Sequence, residues 1–493
     1  MERSSGILMH ISSLPGKYGI GTFGKEAYNF VDFLNKAGQK NWQILPLGQT
    51  SYGDSPYQSF SAFAGNPYFI DFDLLEEDGL VKKSDYENLD FGSNEIEIDY
   101  GKLFVNRYKV LRKAYENSNN KYDKEILEFK EENKFWLEDY SLYMAVKNHF
   151  GLVSWQEWDD DIRLREEKAL NYYKEILKDE IEYWIFLQFL FCKQWKALKA
   201  YANSKEVKII GDIPIYVAED SADVWSNPKF FNLDENMKPI TVAGCPPDPF
   251  AVTGQLWGNP IYNWSYIHET GYAWWIDRMR ESFKMYDVVR IDHFRGFESY
   301  YEIPYGDKTA EFGTWVKGPD IHLFNAIKEA LGDVDIIAED LGNMTDEVEK
   351  LREATNFPGM KILQFAFGDG DSTDLPHHHV ENCVVYTGTH DNDTIMGWYN
   401  ESSSEKEREK AKKYLNLTHE EGIAKGMIRG IWSSKAYLAI AQMQDFLGLG
   451  NEARMNIPSV LGGNWIWRMR KEDLTEKLAK EIYEMTKLYG RCK

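Results

Sequence analysis

The size, composition and charge of this chain exclude several kinds of protein. Its 493 residues would make two to four average domains or one long α/β barrel. With 57 Lys and Arg against 79 Asp and Glu, the net charge of −22 argues against nucleic acid and anionic membranes as partners, because both attract a positive surface. Aromatic residues make up 15% of the chain, an excess that suits stacking on a flat ligand such as a sugar ring.

The cysteines and the N-terminal residues indicate the cellular compartment in which the protein is expected. The cysteines are far apart and form no C-x-x-C pair, which predicts reduced thiols and neither a zinc site nor a disulfide framework. They are Cys192, Cys245, Cys383 and Cys492. The first residues lack the apolar stretch of a signal peptide, and no apolar run approaches the length of a membrane span. We therefore expect a cytoplasmic protein.

Eight short apolar runs, rich in β-forming residues, alternate with helical patterns along the chain. They cover residues 6–11, 42–47, 207–215, 288–294, 334–341, 360–367, 383–391 and 436–447. Continuous apolar runs separated by helices indicate parallel strands that are buried on both faces. Eight such strands predict an α/β fold of the (β/α)8 TIM barrel type, although the last run fits a helix equally well.

The uneven spacing of these runs predicts two insertions into one catalytic (β/α)8 unit that spans residues 1–493. The gap between the second and third runs is too long for one crossover, and residues 94–205 within it show helical patterns. We expect a largely helical insertion subdomain at about 70–205. A second stretch, at about 216–270, is rich in Pro, Gly, Asn and Trp, and we expect a loop-rich insertion beside the active site.

Four of the predicted strands end in acidic residues, namely Asp212, Asp292, Glu339 and Asp391. The active site of a (β/α)8 barrel lies at the C-terminal ends of its strands, so these carboxylates should converge on one pocket. A single acid at such a place more often caps a helix or completes a structural ion pair, and Asp212 fits that role best. The pattern does not choose between Glu339 and Asp340, because adjacent residues point in opposite directions.

The surroundings of these acids suggest different chemical roles. Arg290 and Asp292 share one face of a strand, so we expect the guanidinium to lower the pKa of Asp292, as a nucleophile requires. Glu339 follows an apolar run, and burial should raise its pKa. A carboxylic acid of raised pKa beside an ionised carboxylate is the pair that cleaves glycosidic bonds. Asp391, next to His390, is a candidate for holding sugar hydroxyls.

Two other motifs are predicted to be structural. His377, His378 and His379 follow the polar segment "DSTDLP", which favours solvated loop histidines over a metal site. The stretch "GIGTFG" at 19–24 matches the dinucleotide pattern, but it does not directly follow a strand and lacks the expected acidic partner. We interpret it as a loop at the mouth of the barrel, which leaves no phosphate-cradling loop for a nucleotide-dependent mechanism.

Longer stretches of the sequence resemble a known family. The segments "RIDHFRG", "AEDLG" and "TGTHDND" resemble the catalytic segments of the α-amylase-like superfamily. Residues 52–71, 243–264 and 452–468 look like the amylomaltases, the 4-alpha-glucanotransferases of glycoside hydrolase family 77, and the similarity runs from about 6 to 470. The resemblance implies a (β/α)8 enzyme that transfers α-1,4-glucan segments from maltooligosaccharides, starch or glycogen. It implies a covalent glycosyl-enzyme intermediate, no metal and no organic cofactor.

The resemblance also implies roles for individual residues. Asp292 would be the nucleophile, Glu339 the general acid and base, and Asp391 the stabiliser of the transition state. Nine further positions match substrate contacts: Arg290, His293, His390, Ser55, Tyr57, Gln255, Trp257, Asp369 and Asn456. The "GCPPDPF" loop at 244–250 resembles a flexible flap, in which Pro249 departs from the family's pattern.

The residues alone leave two other functions open. A hydrolase of the α-amylase type would use the same carboxylates with water as the acceptor. A glucan-binding protein without catalytic activity would bind the same sugars. Only the family resemblance favours transfer over both.

Overall fold

The computed structural model describes residues 2–51, 53–247, 251–342 and 344–492, and its centre is a parallel sheet of eight strands. In chain order these are Ser4–Leu8, Asn41–Gln43, Lys208–Pro214, Val288–Asp292, Ile336–Ala338, Gly359–Ile362, Cys383–Tyr386 and Leu438–Gln442. The first strand pairs with both the second and the eighth. Between the fifth and sixth strands the Ala338 N–H donates to the Pro358 carbonyl at 3.0 Å. The sheet is therefore a barrel, which confirms the predicted fold class.

The strands are shorter than the apolar runs that predicted them. The run at 360–367 is a strand over Gly359–Ile362 followed by a 3-10 helix over Leu363–Phe367. The run at 436–447 is a strand over Leu438–Gln442 followed by a helix over Met443–Leu447. Both continuations are largely buried, and apolar character alone does not separate a buried strand from a short buried helix.

Helices follow most of the barrel strands. Lys25–Lys36 buries Phe30, Val31 and Leu34 on one face, the spacing of an amphipathic helix that packs on a sheet. The other helices of this kind are Ala273–Met285, Ile321–Leu331, Asp346–Thr355, Glu405–Leu415, Ile423–Ser433 and Glu476–Leu488. A short helix over Ile395–Gly397 continues as a π-helix over Trp398–Ser402.

The chain between the second and third barrel strands is mainly helical. Its helices are Phe72–Glu77, Tyr100–Glu116, Asp123–Glu132, Lys134–His149, Asp160–Arg163, Glu167–Ile176 and Lys178–Ser204. On the last of these, the Gln188 side chain accepts from the Gly65 N–H at 2.7 Å and donates to the Gly65 carbonyl at 2.9 Å. This pairing ties the long helix to the loop after the second strand. The division into a separate subdomain stays a prediction.

A second, antiparallel sheet lies in the chain after the third barrel strand. Its strands, in spatial order, are Gln255–Pro260, Thr241–Cys245, Ser299–Pro304 and Thr314–Lys317. The stretch at 216–270 thus holds two strands, together with short helices at Ala222–Ser226 and Trp264–Glu269. Among the described residues, no helix is both long and apolar enough to cross a membrane.

Candidate active site

The predicted acids lie where the barrel strands end. Asp292 is the last residue of the fourth strand, Glu339 directly follows the fifth, and Asp391 lies in the loop after the seventh. The Arg290 guanidinium donates to Asp292 Oδ1 at 3.0 Å. The charge of Asp391 acts on Asp292, and that of Asp292 acts on Glu339, so the fold brings the three carboxylates into one electrostatic unit.

A buried ion pair between Arg290 and Asp212 lies next to Asp292. Asp212 on the third strand lies opposite Arg290 on the fourth in the strand register. The Arg290 Nη1 donates to both Asp212 oxygens, at 2.8 and 2.7 Å, and the Tyr57 hydroxyl donates to Asp212 Oδ2 at 2.9 Å. The Asp212 side chain is fully buried. Asp212 thus has the structural ion-pair role expected for it, but its partners are residues of the candidate site.

The structure separates Glu339 from Asp340. Glu339 accepts the backbone N–H of His293 at 2.7 Å and that of Leu341 at 2.9 Å, one on each carboxylate oxygen. His293 has the left-handed backbone conformation, with φ 55° and ψ 48°. Asp340 turns the other way, accepts from the Met360 N–H at 2.7 Å and pairs with Arg352. Glu339 is therefore the acid that faces Asp292.

Burial sets the proton affinities of the central pair. It raises the pKa of Glu339 to about 7, and the neighbouring charge of Asp292 adds to the effect. It also raises the pKa of Asp292 to about 6, although the Arg290 charge opposes the rise. The expectation of a lowered pKa for Asp292 is therefore wrong, because burial outweighs a guanidinium that Asp212 already partly neutralises. The expected order of the two pKa values is kept, since the pKa of Asp292 lies below that of Glu339.

Asp391 is held by residues that the sequence also pointed to. Asn456 Nδ2 donates to Asp391 Oδ1 at 2.6 Å, and His390 Nε2 lies 3.4 Å from the same oxygen. The Asn456 N–H donates to the His390 carbonyl at 3.1 Å. The Tyr57 ring stacks on the His390 ring at 5.0 Å between centroids, and so connects Asp391 with the buried ion pair. Four positions that the sequence predicted for the site are thus neighbours, namely Tyr57, His390, Asp391 and Asn456.

Trp257 packs against His293, the residue whose backbone N–H donates to Glu339. The Trp257 ring contacts the His293 ring edge-on at 4.8 Å, and Trp257 Nε1 donates to Gln255 Oε1 at 3.1 Å. Within the described part of the chain, His293 Nε2 is buried without a hydrogen-bond partner. Burial lowers the pKa of His293 to about 3, so its ring is neutral and able to bind a hydroxyl.

The remaining predicted positions differ in their placement. Ser55 Oγ accepts from the Tyr57 N–H at 3.3 Å and so supports the ring that stacks on His390. Asp369 makes no contact with the carboxylates among the contacts seen in the described ranges; it is exposed and pairs with Lys406. Of the "GCPPDPF" flap, residues 248–250, including Pro249, lie outside the described residues.

Sequence reasoning missed two residues of this site. The Trp465 ring lies 5.9 Å from Tyr57 and 5.8 Å from His390, and it completes an aromatic cluster beside Asp391. Arg454 donates to the Asp391 carbonyl at 2.6 Å. Both lie in the stretch 452–468 that carried part of the family resemblance, and this was the signal that could have found them.

This fold and this site together define a class, the (β/α)8 enzymes that cleave glycosidic bonds with paired carboxylates. A family model described as 4-alpha-glucanotransferase matches residues 9–475, so the chain belongs to that family. A 4-alpha-glucanotransferase of Clostridium butyricum is 60% identical over 487 residues, which cover 98% of this chain and 100% of that protein. A 4-alpha-glucanotransferase of Streptococcus pneumoniae TIGR4 is 55% identical over 493 residues, which cover 99% of this chain and 98% of that protein.

Solved structures agree with this assignment. The amylomaltase from Streptococcus agalactiae in complex with acarbose superposes with a TM-score of 0.97 at 48% identity, over 100% of both chains. The amylomaltase from Corynebacterium glutamicum, at 16% identity, shares the fold with a TM-score of 0.80 over 99% of this chain and 75% of that one. These findings confirm the predicted family, the enzyme class and the 4-alpha-glucanotransferase activity on α-1,4-glucans.

Proposed function

We propose that Asp292, Glu339 and Asp391 catalyse this transfer as nucleophile, general acid and base, and transition-state stabiliser. The observation that carries the proposal is the buried Glu339 carboxyl, whose pKa is about 7, beside the more acidic Asp292. At neutral pH a large fraction of the molecules then has a protonated acid next to an ionised nucleophile, the state in which a retaining enzyme begins its cycle.

In the first half-reaction, Asp292 attacks the anomeric carbon of the donor sugar. Arg290 binds Oδ1 of Asp292, which leaves Oδ2 to form the glycosyl ester. Glu339 gives its proton to the glycosidic oxygen, and the reducing-end part of the donor leaves as a free sugar. The backbone N–H groups of His293 and Leu341 then stabilise the Glu339 carboxylate.

In the second half-reaction, the 4-hydroxyl of an acceptor glucan attacks the glycosyl ester. Glu339 takes the hydroxyl proton, Asp292 leaves as a carboxylate, and a new α-1,4 bond forms with retained configuration. Asp391, held by Asn456, accepts hydrogen bonds from ring hydroxyls that strengthen in the transition state. The neutral His293 donates or accepts at a further hydroxyl.

The physiological donors and acceptors would be maltooligosaccharides and the glucan chains of starch or glycogen. The partly exposed rings of Tyr57 and Trp257 support this choice, because a glucosyl ring has an apolar face that stacks on such side chains. We place the reaction in the cytoplasm on the basis of the widely spaced cysteines.

Incubation with maltotriose, followed by chromatography and a reducing-end assay, tests transfer against the alternatives. We expect free glucose and a ladder of longer oligosaccharides, with the number of reducing ends constant. Shorter sugars with rising reducing ends would instead identify a hydrolase. Binding of maltotriose without any product, also with longer glucan donors, would identify a glucan-binding protein.

A further inference from the structure

The loop between the sixth and seventh barrel strands presents three potential metal ligands on the outside of the molecule. Donor atoms of Asp371, His377 and His378 all lie within 4.8 Å of one another. His378 Nε2 is 2.8 Å and His377 Nε2 is 4.0 Å from Asp371 Oδ1. His379, the third consecutive histidine, turns inward and contacts Ser434 Oγ at 2.8 Å. Two histidines of the run therefore face the same carboxylate, and the third is part of the core.

Local contacts aim the two outward rings. His377 and His378 lie in a 3-10 turn over Pro376–His378, and their ring centroids are 4.0 Å apart. The Tyr414 hydroxyl oxygen lies 2.8 Å from His377 Nδ1 and accepts from the His377 N–H at 3.1 Å. In the tautomer in which Nδ1 donates to this phenol, the Nε2 lone pair faces Asp371. Histidine ligands of metal ions are commonly oriented by such a bond at the other ring nitrogen.

We propose that Asp371, His377 and His378 bind one divalent transition-metal ion of the Zn²⁺ type, away from the catalytic carboxylates. A tetrahedral zinc ion about 2.0 Å from each donor places its donors about 3.3 Å apart. The two separations from Asp371 Oδ1, 2.8 and 4.0 Å, lie on either side of this value, so small side-chain rotations suffice. Two imidazoles favour Zn²⁺ over Mg²⁺ and Ca²⁺, which prefer oxygen ligands.

The exposure of the cluster fits an ion that enters from solvent and keeps a water ligand. The side chains of His377, His378 and Asp371 are 53%, 37% and 71% exposed. Lys410, whose charge acts on Asp371, has other partners, since its Nζ donates to the Gly368 and Gly370 carbonyls at 2.9 Å. The ion would fasten Asp371 to the turn that carries the two histidines. The site is independent of the catalytic roles proposed above.

Equilibrium dialysis of the metal-free full-length chain against ZnCl2 at neutral pH, with the bound metal counted, tests the proposal. We expect one ion per chain at this site, and an affinity at least about tenfold lower in each of the variants H378A and D371N. The variant H322A is the matched control, because His322 is also exposed but lies on the helix Ile321–Leu331; it should bind zinc like the unmodified chain.

A second measurement locates the bound zinc in the unmodified chain, so that it does not depend on how a substitution affects the stability of the loop. In a histidine NMR spectrum, Zn²⁺ should shift the ring signals of His377 and His378 first, whereas Mg²⁺ at the same concentration should not. Zinc binding that persists unchanged in the double variant H377A/H378A would overturn the proposal, and so would the absence of any bound zinc.

Discussion

At the scale of single residues, Glu339 and Asp292 differ because their neighbours differ. Both carboxyls are buried, which favours the protonated form of each. Only Asp292 receives a direct hydrogen bond from the Arg290 guanidinium, and it is the more acidic of the two. Between about pH 6 and 7 the pair therefore holds one proton, and this proton resides mainly on Glu339.

This division of protons predicts a bell-shaped pH profile for kcat/KM with maltotriose. Activity should rise through about pH 6 as Asp292 ionises, and fall through about pH 7 as Glu339 loses the proton that the leaving group needs. The side chain of the variant E339Q has no proton to lose in this range, so its residual kcat/KM with maltotriose should lack the alkaline limb. An alkaline limb that persists in E339Q would assign it to another group.

The variant D292N should lower kcat by more than about 10³-fold, because the amide cannot form the glycosyl ester. Calorimetry should show maltooligosaccharide binding that is little changed. The matched control is D333N, since Asp333 is an exposed aspartate that pairs with Lys328 at the surface. Near-normal turnover by D292N would remove Asp292 from the role of nucleophile.

At the scale of secondary-structure elements, strand register decides which side chains meet. The third and fourth barrel strands pair so that Asp212 lies opposite Arg290, and Tyr57 reaches the same carboxylate from a loop. A buried ion pair of this kind is costly to break from one side, because the remaining charge has no solvent to stabilise it. In the proposed mechanism Asp212 therefore acts through Arg290, as a positioning residue.

The variant D212A should lower the free energy of unfolding by about 3–5 kcal/mol, because it leaves the Arg290 guanidinium buried with less compensation. The variant D333A, which removes an exposed surface pair, should change the free energy of unfolding far less. Urea unfolding of both variants gives the comparison. Equal midpoints would mean that the Asp212–Arg290 pair does not stabilise the barrel.

At the scale of the whole molecule, the two ends of the chain meet at the barrel. The buried Arg491 guanidinium donates to the carbonyl of Ser4, the first residue of the first strand, at 2.8 Å. It also donates to the Trp432 carbonyl at 2.8 Å and to the Ser434 carbonyl at 2.9 Å, just before the eighth strand. One side chain thus satisfies carbonyls on both sides of the junction between the first and last strands.

The variant R491A should therefore lower the free energy of unfolding by about 3 kcal/mol or more, because several buried carbonyls lose their donor together. The variant K487A, at an exposed position of the helix Glu476–Leu488 that precedes Arg491, should stay within about 0.5 kcal/mol of the unmodified chain. Thermal and urea unfolding measure both. A small effect of R491A would mean that water replaces the guanidinium.

Much of this protein could be predicted from the sequence. The eight strands were predictable because each overlaps a largely apolar run, and the candidate acids because they interrupt or end those runs. The family assignment was predictable from longer motifs. Strand ends were not, since the run at 360–367 stays apolar where the chain changes from strand to 3-10 helix.

The tertiary structure alone decided what depends on neighbours distant in the sequence. It selected Glu339 over Asp340, added Trp465 to the site, and raised the pKa of Asp292, where the adjacent Arg290 had suggested a lower one. It also brought Tyr414 against His377 beside Asp371. Periodicity and residue type are local properties that can be read along the chain, whereas burial and electrostatic interaction depend on every segment that packs around a group.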